Sequence, residues 1–140
     1  MLTETEIDKI VLNARVIAVV GMRNASHSDR AAFLIPEMLK KRGYRVIPVN
    51  PKIHSSLGEK SYSSIAELPV VPDILDVFRR IEVIPALVDE ILALPARKRP
   101  PVVWLQSGIT HPESEKRLED AGIKAVSDRC LGVYAARVRR

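Results

Sequence analysis

Apolar residues along this chain follow two rhythms. Short, nearly unbroken runs occupy 15–20, 44–49, 74–78, 102–105 and 123–126. Their length and their valine and isoleucine content suit strands covered on both faces. Between the runs, apolar positions recur every three or four residues, the spacing of helices with one buried stripe. The first such stretch, 2–13, opens with Thr3 and Glu6 at capping-box spacing and carries Leu2, Ile7, Ile10 and Val11 on one stripe. The second, 29–42, takes Ser28 or Asp29 as its N-cap and Ala31, Leu34, Ile35, Met38 and Leu39 as its buried face. Lys40, Lys41 and Arg42 suit its C-terminal end, and Gly43 suits the residue beyond it. Pro36 removes a backbone hydrogen bond from this pattern, so the helix starts later or kinks there. A short helix at 63–67 and longer ones at 82–94 and 112–121 follow, and the basic tail SDRCLGVYAARVRR has room for one more short helix.

Strand and helix alternate throughout, which predicts an α/β, Rossmann-like three-layer fold with a five-stranded, mostly parallel sheet, residues 1–140 forming a single domain. Right-handed crossovers put helices on both faces, and ligands of such sheets bind beyond the carboxyl ends of the strands. That rule selects four loops. The first turns at Gly21 and continues through Met22, Arg23 and Asn24 to Arg30 at a helix start, a place where free N–H groups and a helix dipole favour an anion. No second or third glycine follows at dinucleotide spacing, so the GxGxxG fingerprint is absent. The second, Asn50-Pro51-Lys52, offers a cation where a protein that binds NAD usually has an acid for the ribose hydroxyls. A cation there suits a ribose bearing a phosphate, as in NADP or coenzyme A. The third, Phe78-Arg79-Arg80, brings two guanidiniums that match phosphate oxygens, or of which one pairs with Asp76 or Glu82. The fourth, Gln106-Ser107-Gly108-Ile109, gives small residues and amide donors. Each loop also has a plainer reading, as a turn with solvated charges.

Composition narrows the partners. The 140 residues carry a formal net charge of +5, which favours anionic ligands. Aromatic residues are only 4%, too few for the stacking platforms of single-strand binders, which speaks against nucleic acid. One cysteine, Cys130, fits a reducing cytoplasm, and no apolar run is long enough to span a membrane. His27, His54 and His111 lie in separate loops without metal-site spacing, and Ser26, His27 and Asp29 are too close in sequence for triad geometry. A protein partner is not readable.

The stretches VIAVVG, KRGYRVIPVNPK, DILDVFRR, VVWLQSGI and DRCLGV together resemble the small stand-alone CoA-binding proteins, similar in turn to the CoA-binding domain of the succinyl-CoA synthetase α subunit. The resemblance runs from about Ala14 to Val133. It implies a cytoplasmic protein that binds coenzyme A or an acyl-CoA as a small-molecule ligand, without ligase domains and with no established catalysis. By the same resemblance Gly21, Met22, Arg23 and Asn24 form the phosphate loop, and Lys52 faces a CoA phosphate. Leu105, Gln106 and Ser107 contact CoA, and 49–51 and 78–80 line the nucleotide and pantetheine path. Met22-Arg23 departs from the family, where small residues are common. Rivals are an NADP-dependent oxidoreductase and a basic interaction module using Arg137, Arg139 and Arg140.

Overall fold

The computed structural model describes residues 2–27 and 29–139. Strands β1 (Val16–Val20), β2 (Arg45–Val49), β5 (Ile74–Val77), β6 (Val102–Leu105) and β7 (Lys124–Val126) form one parallel sheet in the order β2-β1-β5-β6-β7. Strands β3 (Ser55–Ser56) and β4 (Glu59–Lys60) make a separate two-residue hairpin. The helices are α1 (Glu4–Asn13), α2 (Ala31–Lys41), α3 (Ile84–Ala93), α4 (Pro112–Asp120) and α5 (Leu131–Val138). None is long and apolar enough to cross a membrane.

The strand runs are largely apolar because each strand feeds two cores. Ile17, Val19, Ile74, Val102 and Trp104 point to the layer of α1, α2 and α5, where Ile7, Val11, Leu39, Leu131 and Tyr134 meet them. Ala18, Val20, Leu75, Val77, Val103 and Leu105 point to the layer of α3 and α4. Period-two alternation thus divides the residues between two buried faces. Pro48 is tolerated because β2 is an edge strand, where a missing N–H breaks no ladder.

The capping box on α1 forms as expected: Glu6 N donates to Thr3 Oγ1 at 3.1 Å, and Thr3 N to Glu6 Oε1 at 3.3 Å. Helix α2 differs from expectation. It starts at Ala31 with Arg30 as an N-cap that makes no side-chain bond, so Asp29 is not the cap, and Ser28 lies outside the described residues. Its buried residues are Phe33, Pro36 and Leu39, while Leu34 is 46% exposed. The buried stripe is displaced from the expected one because Pro36 does not break the helix but packs inward within it. Lacking an N–H, Pro36 leaves the carbonyl of Ala32 without its helical donor. The amide of Arg23 fills that vacancy at 2.9 Å. The proline therefore ties the helix to the loop after β1. The 3₁₀ turns at Ile65–Glu67 and Ile81–Val83 replace part of the helical stretches expected at 63–67 and 82–94. The tail, expected to have room for a short helix, forms the two-turn α5.

Candidate functional site

β1 lies between β2 and β5, so the strand order reverses at the C-terminal ends of β1 and β5. The loop after β1 is fixed there by four contacts. Gly21 N donates to Val49 O at 2.9 Å, Asn50 Nδ2 to Met22 O at 2.9 Å, Arg23 N to Ala32 O at 2.9 Å, and Ser56 Oγ to Arg23 O at 2.8 Å. Gly21 has φ +84°, and a Cβ at this position would lie 2.2 Å from the carbonyl oxygen of Phe78. Only glycine fits so close to the end of β5. Asn50 is 6% exposed and works from both ends of its amide: Nδ2 holds Met22, and Oδ1 accepts from Lys52 N at 2.9 Å in an Asx turn. It couples the phosphate-type loop to the turn that carries Lys52.

These loops enclose a cleft of about 430 Å³ lined by Gly21, Arg23, His27, Arg30, Ala31, Ala32, Asn50, Lys52, Ile53, Phe78 and Arg79. Its charged groups are all basic. Arg23, Arg30, Lys52 and Arg79 take part in no salt bridge among the described residues. The amides of Ala31 and Ala32, in the first turn of α2, have no acceptor among the described residues. Guanidiniums, one ammonium and a helix N-terminus give the cleft a chemistry suited to an anion. A second cavity of about 240 Å³ adjoins it, lined by Val20, Val49, Pro51, Ser63, Ser64, Ile65, Arg79, Val83, Ala86, Leu87 and Glu90. Arg79 is common to both.

Not every expected site residue reaches these cavities. Met22 is fully buried among the residues of the α1, α2 and α5 core, so its side chain serves packing. Asn24 turns its Oδ1 to the amide of Ser26 at 3.1 Å and shapes the loop. Arg80 sits at the start of the 3₁₀ turn, outside both cavities. Neither Arg79 nor Arg80 pairs with Glu82 or Asp76 among the described residues. Asp76 is instead fully buried, with Oδ1 accepting from Gln106 Nε2 at 2.6 Å and Oδ2 lacking a partner among the described residues. Burial raises its pKa from 3.8 to about 7, against the hydrogen bonds from Gln106 and from the backbone of Val77, which lower it. Gln106 is thereby committed to Asp76. Leu105 is core, and Ser107 and Gly108 are exposed outside both cavities.

The tail cations have structural duties. Arg137 pairs with Asp8, and Arg139 Nη2 donates to the carbonyls of Leu12 at 2.9 Å and Ala14 at 2.6 Å. Arg140 lies outside the described residues. Reading the sequence missed Ile53 and, apart from Val49, Pro51 and Arg79, the walls of the second cavity, and it weighed His27 only for metal and triad chemistry. Val83, Ala86 and Leu87 have core-like helical spacing, so only their neighbourhood to Pro51 and Ile65 marks them as a cavity wall.

The parallel sheet, the reversal of strand order and the basic cleft above it define a Rossmann-like α/β domain with a basic cleft at the switch point. The chain belongs to the CoA binding domain family, whose model matches residues 15–136. It is 35% identical over 134 residues to the Bacillus subtilis (strain 168) protein YneT, itself uncharacterized, covering 96% of this chain and 95% of that one. A Thermus thermophilus protein of known structure, cell-free ID.343, superposes with a TM-score of 0.89 at 41% identity, covering 98% of this chain and 99% of that chain. The fold also occurs in the dinucleotide-forming acetyl-coenzyme A synthetase 1 of Ca. Korarchaeum cryptofilum, with a TM-score of 0.68 at 18% identity, over 84% of this chain and 26% of that one.

Proposed function

We propose that this protein binds coenzyme A or an acyl-CoA through phosphate contacts at the C-terminal ends of the parallel strands, and that it acts by holding the ligand rather than by transforming it. The observation that carries this reading is the charge of the larger cleft. Arg23, Arg30, Lys52 and Arg79 surround it with no carboxylate in its lining. Coenzyme A has a diphosphate and a separate 3′-phosphate, and so needs cations on two sides of the loop. The diphosphate would lie on the Gly21 loop and the start of α2, with the 3′-phosphate toward Lys52. The adjoining cavity, apolar for most of its wall, would take the adenine ring. Ser107 and Gly108 would border the departing pantetheine arm. The side chains around the anion site are donors already suited to binding, and none is assigned a catalytic step.

The test is calorimetric titration of the purified protein with coenzyme A, dephospho-CoA and NADP, together with mass spectrometry of small molecules released from it. The reading expects coenzyme A to bind tightest and dephospho-CoA to lose affinity through the missing 3′-phosphate. Binding of NADP with no measurable binding of coenzyme A would overturn it in favour of a nicotinamide enzyme.

A further inference from the structure

The two edges of the sheet differ. Along the outer edge of β2, Tyr62 N donates to Pro48 O at 3.0 Å and Asn50 N to Tyr62 O at 2.9 Å, so a passing segment covers that strand. At the other edge, β7 pairs with β6 alone among the described residues. Its register fixes which way its backbone points. Lys124 N donates to Pro101 O at 3.0 Å, so the amide and carbonyl of Lys124 face β6, and those of Val126 do the same. Ala125 lies between them, and successive residues of a strand turn their backbone groups to opposite sides. Its N–H and C=O therefore point outward. The carbonyl of Ile123 and the amide of Ser127 share that direction, and neither has a backbone partner among the described residues. The edge thus offers acceptor, donor, acceptor and donor in a row, the template for one more strand.

This edge is the floor of a groove of about 660 Å³ between α1 and α4. Leu2, Glu6 and Ile7 form one wall, and Glu115 and Glu119 the other. Glu115 and Glu119 are four residues apart on α4 and so share one face. Ala125 packs against the core under α3 and α4, whereas Val126 belongs to the core under α1. An added strand would follow the same alternation. Its side chains opposite Ala125 would turn to the Glu115 and Glu119 wall, and those opposite Lys124 and Val126 to Leu2 and Ile7.

Charge selects the occupant. Glu119 has no salt bridge among the described residues, while Glu6 and Glu115 each use one oxygen, Oε1 for Thr3 and Oε2 for Thr110 and His111. Of the two cations in the lining, Arg129 is paired with Glu4 at 3.3 Å, and Lys124, in step with Val126, stands on the α1 side. No cation of α4 lines the groove. A second copy pairing antiparallel through its own β7 would bring another Glu115 and Glu119 against these two, which disfavours self-association.

We propose that β7 takes an extended, basic segment of a partner protein as a sixth strand, through backbone bonds to Ile123, Ala125 and Ser127 and with lysine or arginine side chains against Glu115 and Glu119. Apolar side chains alternate with those cations and cover Leu2 and Ile7. Strand β6 separates this edge from β1, β2 and β5, which carry the basic cleft, so the edge can be filled whatever anion the cleft holds.

The test is an NMR titration of the isotope-labelled full chain with a short capped peptide of alternating lysine and valine, and with its glutamate–valine counterpart. The lysine peptide should shift the amides of Ala125 and Ser127 saturably and slow their hydrogen exchange. Ala125→Pro removes the outward N–H without costing a bond to β6, and should weaken this binding about tenfold or more. Glu119→Lys, at an exposed position, should weaken it severalfold, the scale of an exposed ion pair. Melting curves check that both variants are folded. No saturable shift at Ala125 and Ser127 up to millimolar lysine peptide overturns the proposal, as does equal binding of the two peptides or binding unchanged in both variants. Sedimentation that shows the chain alone to dimerise, with the dimer lost in Ala125→Pro, assigns the edge to a second copy and overturns it as well.

Discussion

Asn50 is the side chain on which the geometry of the basic cleft depends most. Replacing it with alanine removes the donor to Met22 O and the acceptor for Lys52 N, both at 2.9 Å. The two losses differ. The Lys52 amide sits in an exposed turn where water can replace the lost acceptor, so its bond contributes about 0.5–1 kcal/mol. The Met22 carbonyl is enclosed with a fully buried residue, and leaving it without a donor costs about 1–3 kcal/mol. The sum is about 1.5–4 kcal/mol. At roughly 3–5 °C per kcal/mol for a domain of this length, Asn50→Ala should melt roughly 5–20 °C below wild type. Circular dichroism melts supply the assay, with Asn50→Asp alongside. The aspartate keeps the acceptor for Lys52 but sets a carboxylate against the Met22 carbonyl, so it should lose at least as much. The same variants should bind coenzyme A more weakly, since the Gly21 loop and Lys52 would no longer be held in register. A melting point within about 2 °C of wild type would refute the claim that this amide couples the two loops.

Two further outcomes follow from the same site. Gly21→Ala should lower stability more than Gly122→Ala: both glycines have positive φ, +84° and +82°, but only at Gly21 does the new Cβ meet backbone, at 2.2 Å from Phe78 O. Equal losses in urea denaturation would show that conformation alone, and not the close approach of β5, requires the glycine. Lys52→Ala should reduce coenzyme A affinity about tenfold while changing dephospho-CoA affinity much less, as expected for one charge-assisted contact at an exposed lysine; an equal loss for both ligands, by calorimetry, would remove the 3′-phosphate from Lys52.

The sheet is readable in the sequence because a strand buried on both faces leaves an unbroken apolar run, and Val102–Leu105 falls where such a run predicts it. The hairpin of Ser55–Ser56 and Glu59–Lys60 is not readable, since two polar residues per strand show no alternation. At Pro36 the missing hydrogen bond is legible, but the donor that replaces it, Arg23 N, comes from another loop. The same limit applies at Asn50. Its role as a strand stop is a local property, whereas its bond to Met22 spans 28 residues. Arg23, Lys52 and Arg79 stand out because charge at strand ends is a local signal. Gln106 reads as a ligand contact because nothing in the sequence shows that Asp76, on the neighbouring strand, is buried beside it.

That buried pair makes stability depend on pH in a direction opposite to the usual carboxylate. Asp76 lies between Val19 and Trp104 in the middle of the sheet and is fully buried. Its folded pKa is raised to about 7 from 3.8, chiefly by burial. Between about pH 4 and pH 7 the folded protein keeps a proton that the unfolded chain has released. Folding stability from this group is therefore fully present below about pH 4 and declines as pH rises toward 7, becoming level above it. A tenfold difference in proton affinity between the folded and unfolded chain corresponds to about 1.4 kcal/mol, so the loss across the window is on the order of a few kcal/mol. Asp76→Asn removes the titration while keeping an oxygen for Gln106 Nε2. Urea midpoints measured from pH 4 to pH 8 should then show the wild type losing ground to Asp76→Asn steadily up to pH 7, with the variant the more stable protein at pH 8. Parallel curves across the whole range would mean that Asp76 ionises as an ordinary carboxylate, and that water reaches the oxygen left without a partner.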